Sequence, residues 1–157
     1  MNDELKAIGE YTIEIWRDGR NGAECLQRRV VPNLVVNTGK RQIWRQATGK
    51  SNKVFQFLRI GTSAATPASG QTNVLSPVTG TLRTASDFSL LSGTRTFQWV
   101  VSYQSGAGTK SATNIREVVV MNQRTSPGGS ALSRATFTAV NKTTADKLKI
   151  TYKSRIT

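Results

Sequence analysis

Nine carboxylates are the acids this chain can bring to a reaction: Asp3, Glu4, Glu10, Glu14, Asp18, Glu24, Asp87, Glu117 and Asp146. Glycoside hydrolysis needs two of them facing one substrate. Glu14 and Glu117 are the pair that could meet across a sheet, yet no spacing in the sequence brings them together. Histidine is absent and Cys25 is the single cysteine. A serine or cysteine nucleophile therefore has no imidazole base, and the usual Cys/His zinc sites cannot be assembled. Cys25 reads as a small apolar residue in or beside a strand, without an intramolecular disulfide, which suits a reducing compartment. Ser105-Gly-Ala-Gly-Thr-Lys110 has the glycines of an anion-binding loop but lacks the Walker spacing and a helical pattern after it, so it reads as a hairpin loop. Asn122 to Gly129 reads as a turn-rich connection. No catalytic residue, cofactor-binding residue or metal ligand is assigned, and no cofactor is expected.

The cations are the stronger anomaly. Twenty-two Lys and Arg in 157 residues give a formal charge of +13. Divided at residue 60, the first part carries +5 and the second +8, so the charge is spread through the chain and not gathered in a tail. In the last segment Leu148, Ile150, Tyr152 and Ile156 alternate with Lys147, Lys149, Thr151, Lys153 and Arg155, which places four cations along one face of a strand. Together with Arg134 and Lys142 these are the candidate partner-binding residues. Such a stripe could follow nucleic-acid phosphates if aromatics lay beside it. Phe97, Trp99, Tyr103 and Tyr152, however, share the apolar faces of their strands and read as core. Subunit or partner contact is thus favoured over nucleic acid, which stays as an alternative.

The elements that must position these residues are mostly strands. Twenty Thr, 14 Ser, 13 Val and 8 Ile outweigh the scarce helix-forming stretches. Period-two alternation marks Thr94 to Tyr103 and the last segment, and further strands are expected at Ile8 to Arg17, Cys25 to Val31, Val54 to Ile60, Thr81 to Leu90, Ile115 to Met121 and Ala131 to Val140. One short helix is expected from Gly39 to Ala47, capped by Asn37 or Thr38, stopped by Gly49 and exposing Lys40, Arg41 and Arg45. Gly61 to Asn73 has neither period and reads as a long ordered loop. The expectation is a mainly β, single-domain antiparallel β-sandwich or jelly roll spanning residues 1–157, with one short helix. Met1 to Lys6 is polar and lacks the apolar stretch of an export signal. The longest apolar run is Val118 to Met121, far short of the ~18 residues of a membrane span, so no membrane partner is expected.

Short words in this chain resemble those of small β-rich bacteriophage virion proteins of the tail-fibre or baseplate-associated type. They are Leu132-Ser-Arg134, Phe137, Asn141-Lys-Thr143, Asp146, Leu148-Lys-Ile150 and Tyr152, which match two consecutive strands joined by a Lys-Thr turn. Pro32-Asn-Leu-Val-Val-Asn-Thr-Gly39 resembles the word before the short helix, and Arg59-Ile-Gly-Thr62 with Pro67 and Leu75 resembles a loop of the class. The class usually has a glycine shortly after the Glu that precedes the Leu-x-Arg word, whereas here Glu117 runs on into Val118-Val-Val-Met121. The resemblance implies a non-enzymatic virion component, assembled in the host cytoplasm, whose partners are other virion proteins, copies of itself and, in some roles, a host receptor. Loops 61–73, 105–114 and 122–130 would reach neighbours. A tail, baseplate or fibre-attachment role is expected first and a capsid-decorating role second; a carbohydrate-cleaving depolymerase ranks last.

Overall fold

The computed structural model describes residues 7–104, 112–122 and 129–156. The readings placed on Met1 to Lys6, on 105–111 and on 123–128 lie outside them. Among the described residues, ten strands and one helix follow in chain order: β1 Ala7–Gly19, β2 Gly22–Pro32, β3 Leu34–Val35, α1 Asn37–Ala47, β4 Phe57–Gly61, β5 Arg83–Thr84, β6 Asp87–Leu90, β7 Thr96–Tyr103, β8 Ala112–Met121, β9 Ala131–Lys142 and β10 Asp146–Ile156. They form two antiparallel five-stranded sheets, ordered β2-β1-β10-β7-β6 and β3-β9-β8-β4-β5. The expected β-sandwich with one short helix is what the chain forms.

Alternation builds the core. Tyr11, Ile13 and Ile15 of β1, Trp99, Val101 and Tyr103 of β7, and Leu148, Ile150 and Tyr152 of β10 face inward against Ile60, Val118, Val120, Ala135 and Phe137 of the other sheet. Four inward aromatics carry polar tips, which would be costly to bury unpaired. Three of them reach across to the opposite layer: Tyr11 Oη and Ser133 Oγ lie 2.7 Å apart, Trp99 Nε1 donates to the Phe55 carbonyl at 2.6 Å, and Tyr103 Oη donates to the Thr81 carbonyl at 2.6 Å. Tyr152 stacks on Tyr11 at 4.5 Å between ring centres and its Oη accepts from Asn33 Nδ2. These bonds fix how the two sheets sit on one another.

Several boundaries differ from the pattern read in the sequence. Thr81 to Leu90 is not one strand: β5 pairs with β4 in one sheet, β6 pairs with β7 in the other, and the chain crosses between them at Ala85 and Ser86. Phe97, placed with the core by alternation, is 38% exposed because it lies at the end of β7. The helix starts two residues early and neither Asn37 nor Thr38 caps it. Val36 holds the cap position, the Asn37 N–H donates to the Ser69 carbonyl, and Thr38 Oγ1 donates to the Ala131 carbonyl. Gly49 does stop the helix, with φ +68°. The Lys-Thr turn joins β9 to β10 as read, but it is an arch between the two sheets and not a hairpin within one. Without the expected glycine, β8 continues paired through Met121.

The outer face of the β3-β9-β8-β4-β5 sheet is itself covered. A second apolar cluster of Val36, Phe57, Val74, Val119, Met121 and Ala131 lies there, beneath the start of α1 and the long segment that follows β4. Helix α1 approaches β9 closely enough that a Cβ at Gly39 would meet the Leu132 carbonyl and, at 2.9 Å, the Ala131 carbonyl. Gly39→Ala is therefore expected to lose about 1–3 kcal/mol in urea unfolding, although alanine is the better helix former by ~1 kcal/mol. Unchanged stability would mean that the helix does not pack this closely.

Candidate partner interface

The face proposed from sequence is the outer side of the β2-β1-β10-β7-β6 sheet, with β10 at its centre. Leu148, Ile150 and Tyr152 are fully buried, so Lys147, Lys149, Thr151, Lys153 and Arg155 point outward. On one flank their partners in β7 are uncharged: Ser102, Val100, Gln98 and Thr96. On the other flank β1 places Glu14 opposite Lys149 and Glu10 opposite Lys153. Glu14 also lies 3.6 Å from Arg28 of β2. Two of the four cations thus face an acid on β1, whereas Lys147 faces Trp16 and Arg155 faces Ile8; an opposed pair of charges contributes about 0.2–1 kcal/mol to the sheet.

Arg134 and Lys142 do not belong to that face. Arg134 is 0% exposed and Lys142 is 2% exposed. For Arg134 sequence periodicity could not show this, because both faces of the middle of β9 are covered; Lys142, the last residue of β9, is buried beside Asp146 at the arch to β10.

Arg134 belongs to a buried ion pair. Its Nε and Nη2 donate to Glu117 Oε2 at 3.0 and 2.7 Å, while Nη1 donates to the Ala65 carbonyl and Gln71 Oε1 at 2.9 and 3.1 Å. The carboxylate accepts three backbone N–H groups as well: Ser63 and Ser76 on Oε1 at 3.2 and 2.8 Å, and Leu75 on Oε2 at 3.0 Å. Glu117 sits opposite Gly61 in the β4–β8 pairing, and any Cβ at Gly61 would collide with its Oε1. Burial raises the carboxyl pKa, but the N–H donors of Ser76 and Leu75, the guanidinium of Arg134 and the N–H of Ser63 outweigh it and hold Glu117 below the usual carboxylate range. Every strong group at this centre is already committed to structure.

A second carboxylate closes the arch between β9 and β10. Asp146 accepts from Thr143 N and Oγ1 at 2.9 and 2.7 Å, and from Arg17 of β1 at 2.8 Å. Burial again raises its pKa, and the Thr143 and Arg17 donors together bring it below the ordinary value. Lys142 beside it is pushed down by burial and drawn up by Asp146, and its Nζ donates to the Thr143 carbonyl.

Glu14 and Glu117 lie on the outer faces of different sheets, so the one carboxylate pair considered for hydrolysis does not face a common substrate. Cys25 lies in β2 as a free thiol that donates to the Gln27 carbonyl. Among the described residues no cluster of three or more His, Cys, Asp or Glu is placed to hold a metal ion. Comparison with protein-family models, with curated proteins and with solved structures finds no match for this chain.

Two outcomes follow from the buried centres. Arg134→Met leaves the Glu117 carboxylate buried without its cation and is expected to cost about 3–5 kcal/mol in denaturant unfolding. Replacing both partners by apolar residues should not restore stability, because three backbone N–H groups would lose their acceptor. The pH dependence follows from the two depressed carboxyls. Their stabilisation is fully present above the unfolded values of ~4.3 for Glu and ~3.9 for Asp and is lost as pH falls through the lower folded values. Unfolding free energy should therefore be level from pH 6 to about 5 and then fall, with a shallower fall in Glu117→Gln and in Asp146→Asn. A wild-type slope retained in both variants would assign the acid sensitivity elsewhere.

Proposed function

We propose that this chain is a non-enzymatic structural protein of a tailed-bacteriophage virion, present in multiple copies and docking on other virion proteins as a tail, baseplate or fibre-attachment component. One observation carries the reading. Gly61 and Arg134 come from separate stretches that carry the resemblance, and both meet Glu117, on the strand where the chain departs from the class, in a single buried centre. Their meeting supports reading those two words together. Two five-stranded sheets locked by buried polar bonds suit a part that must hold its shape while its outer surfaces make contacts. Repetition then turns weak single contacts into strong assembly through effective concentration.

On this reading the outer face that includes Lys147, Lys149, Lys153 and Arg155 is a docking face. Its mixed charge, with Glu10 and Glu14 beside Lys153 and Lys149, gives orientation and partner selection more than raw affinity. Quantitative mass spectrometry of purified particles tests the proposal: a tail component should be present at on the order of tens of copies, whereas hundreds would assign it to capsid decoration. Lys149→Glu/Lys153→Glu should remain folded yet enter particles poorly. Absence of the wild-type chain from particles overturns both roles.

A further inference from the structure

Lys142 is a cation to which the docking face gives no part. It ends β9 with 2% of its surface exposed. An ammonium carries three N–H donors, and here one of them donates to the Thr143 carbonyl at 3.1 Å. Asp146 acts on it through space, but that carboxylate is held by Thr143 and by Arg17. Burial lowers the Lys142 pKa by more than Asp146 raises it, so the buried charge is poorly compensated. Among the described residues no carboxylate forms an ion pair with it.

Lys142 lines a cavity of about 240 Å³ between the two sheets. Tyr103 borders the cavity from one sheet, Ile60, Arg83 and Ala112 from the other, and Thr79 from the segment before β5. Arg83 is exposed, its guanidinium lies 5.9 Å from the centre of the Tyr103 ring, and it too has no carboxylate partner among the described residues. None of the lining residues described is an Asp or a Glu, and the sequence from 105 to 111, between β7 and β8, contains neither. Two cations therefore border one small space whose described lining holds no counter-charge. Walls of low dielectric focus such a field on whatever enters.

We infer that this cavity binds a small molecule through an oxyanion, a carboxylate or a phosphate, held between Lys142 and Arg83. Lys142 supplies its remaining N–H donors from the buried side, Arg83 a planar fork from the exposed side, and Thr79 a hydroxyl. Tyr103 serves as a wall, because its Oη already donates to the Thr81 carbonyl. Water would satisfy the free donors of Lys142 without compensating its charge. The volume lies below the roughly 300–1,000 Å³ of sites for drug-sized ligands, which limits the occupant to a small acid. A nucleic-acid strand, with its phosphates along a continuous chain, could reach Arg83 but not a lysine so deeply buried. The inference stands on this cavity alone, apart from the virion reading and from the β10 face.

Nuclear magnetic resonance titration of the chain with inorganic phosphate, with malonate and with chloride at matched ionic strength tests it. The expected result is saturable movement of the Thr79, Gly80 and Ala112 amides and of the Lys142 Cε resonance with phosphate, malonate or both, while chloride gives only the gradual drift of screening. Saturation by phosphate alone assigns a phosphate ligand, and by malonate alone a carboxylate; saturation by both supports the shared oxyanion chemistry. Affinity for the saturating probe should drop about tenfold or more, equivalent to ~1.4 kcal/mol, in Lys142→Met and in Arg83→Gln, and stay unchanged in Arg45→Gln, an exposed cation of α1. Arg83→Gln alters an exposed side chain, so it decides the matter if Lys142→Met fails to fold. Absence of saturation by either probe, a response to chloride equal to that of the probes, saturation without movement of Lys142, or unchanged affinity in Arg83→Gln or in folded Lys142→Met would overturn the inference.

Discussion

The buried pair of Glu117 and Arg134 is the constraint on which one whole side of the molecule depends. The segment between β4 and β5 is long and has no regular hydrogen-bonding ladder of its own, so its backbone donors and acceptors need partners elsewhere. Glu117 accepts hydrogen bonds from the N–H groups of Ser63, Leu75 and Ser76, and Arg134 donates hydrogen bonds to the Ala65 carbonyl and to Gln71. Two side chains on neighbouring strands thereby satisfy both ends of the segment and hold it over Phe57, Val119 and Met121. A buried ion pair seldom stabilises more than a hydrophobic replacement would. Here its use is different, because no apolar pair could accept and donate to the backbone that covers it.

The same logic runs through the sandwich. Tyr11, Trp99 and Tyr103 add apolar area to the core and direct their donors at the opposite layer, and Asp146 ties the arch between sheets to β1 through Arg17. Each of these bonds has a defined length and direction, so the layers are restrained against sliding in a way that dispersion alone does not provide. The cations beyond these centres lie largely on the outside, where they are available to a partner.

Much of the fold was legible in the residues because it depends on local alternation. Tyr11-Ile13-Ile15, Trp99-Val101-Tyr103 and Leu148-Ile150-Tyr152 each show their inward face without reference to any other strand. The misread positions depend on something distant. Arg134 looks like any strand cation until Glu117 and residues 63–76 are brought to it, and Phe97 follows the core pattern but sits past the end of its cover. The crossing at Ala85 and Ser86 breaks a run that reads as continuous, since a switch between sheets leaves no mark in hydrophobic period. The helix start is not legible locally, because the Asn37 N–H finds its acceptor on Ser69, over thirty residues away in sequence. Gly61 was the one local clue to the buried centre: a glycine inside a strand often marks a close approach by another group.

The outer β10 face illustrates the same limit from the functional side. Its cations are where the sequence put them, but Glu10 and Glu14 from β1 turn a basic stripe into a mixed ladder, and that neighbour is visible only in the sheet order. Charge counted along a chain therefore overstated the field that a partner would meet. The central physical claim is that Glu117 and Arg134 hold the segment after β4 in place. Native-state amide hydrogen exchange at Ser63, Leu75 and Ser76 measures this most directly. All three amides should be protected in the wild-type chain, and all three should lose protection together in Arg134→Met while the Tyr152 amide stays slow. Fast wild-type exchange at these three positions, or protection that survives the loss of Arg134, would contradict it.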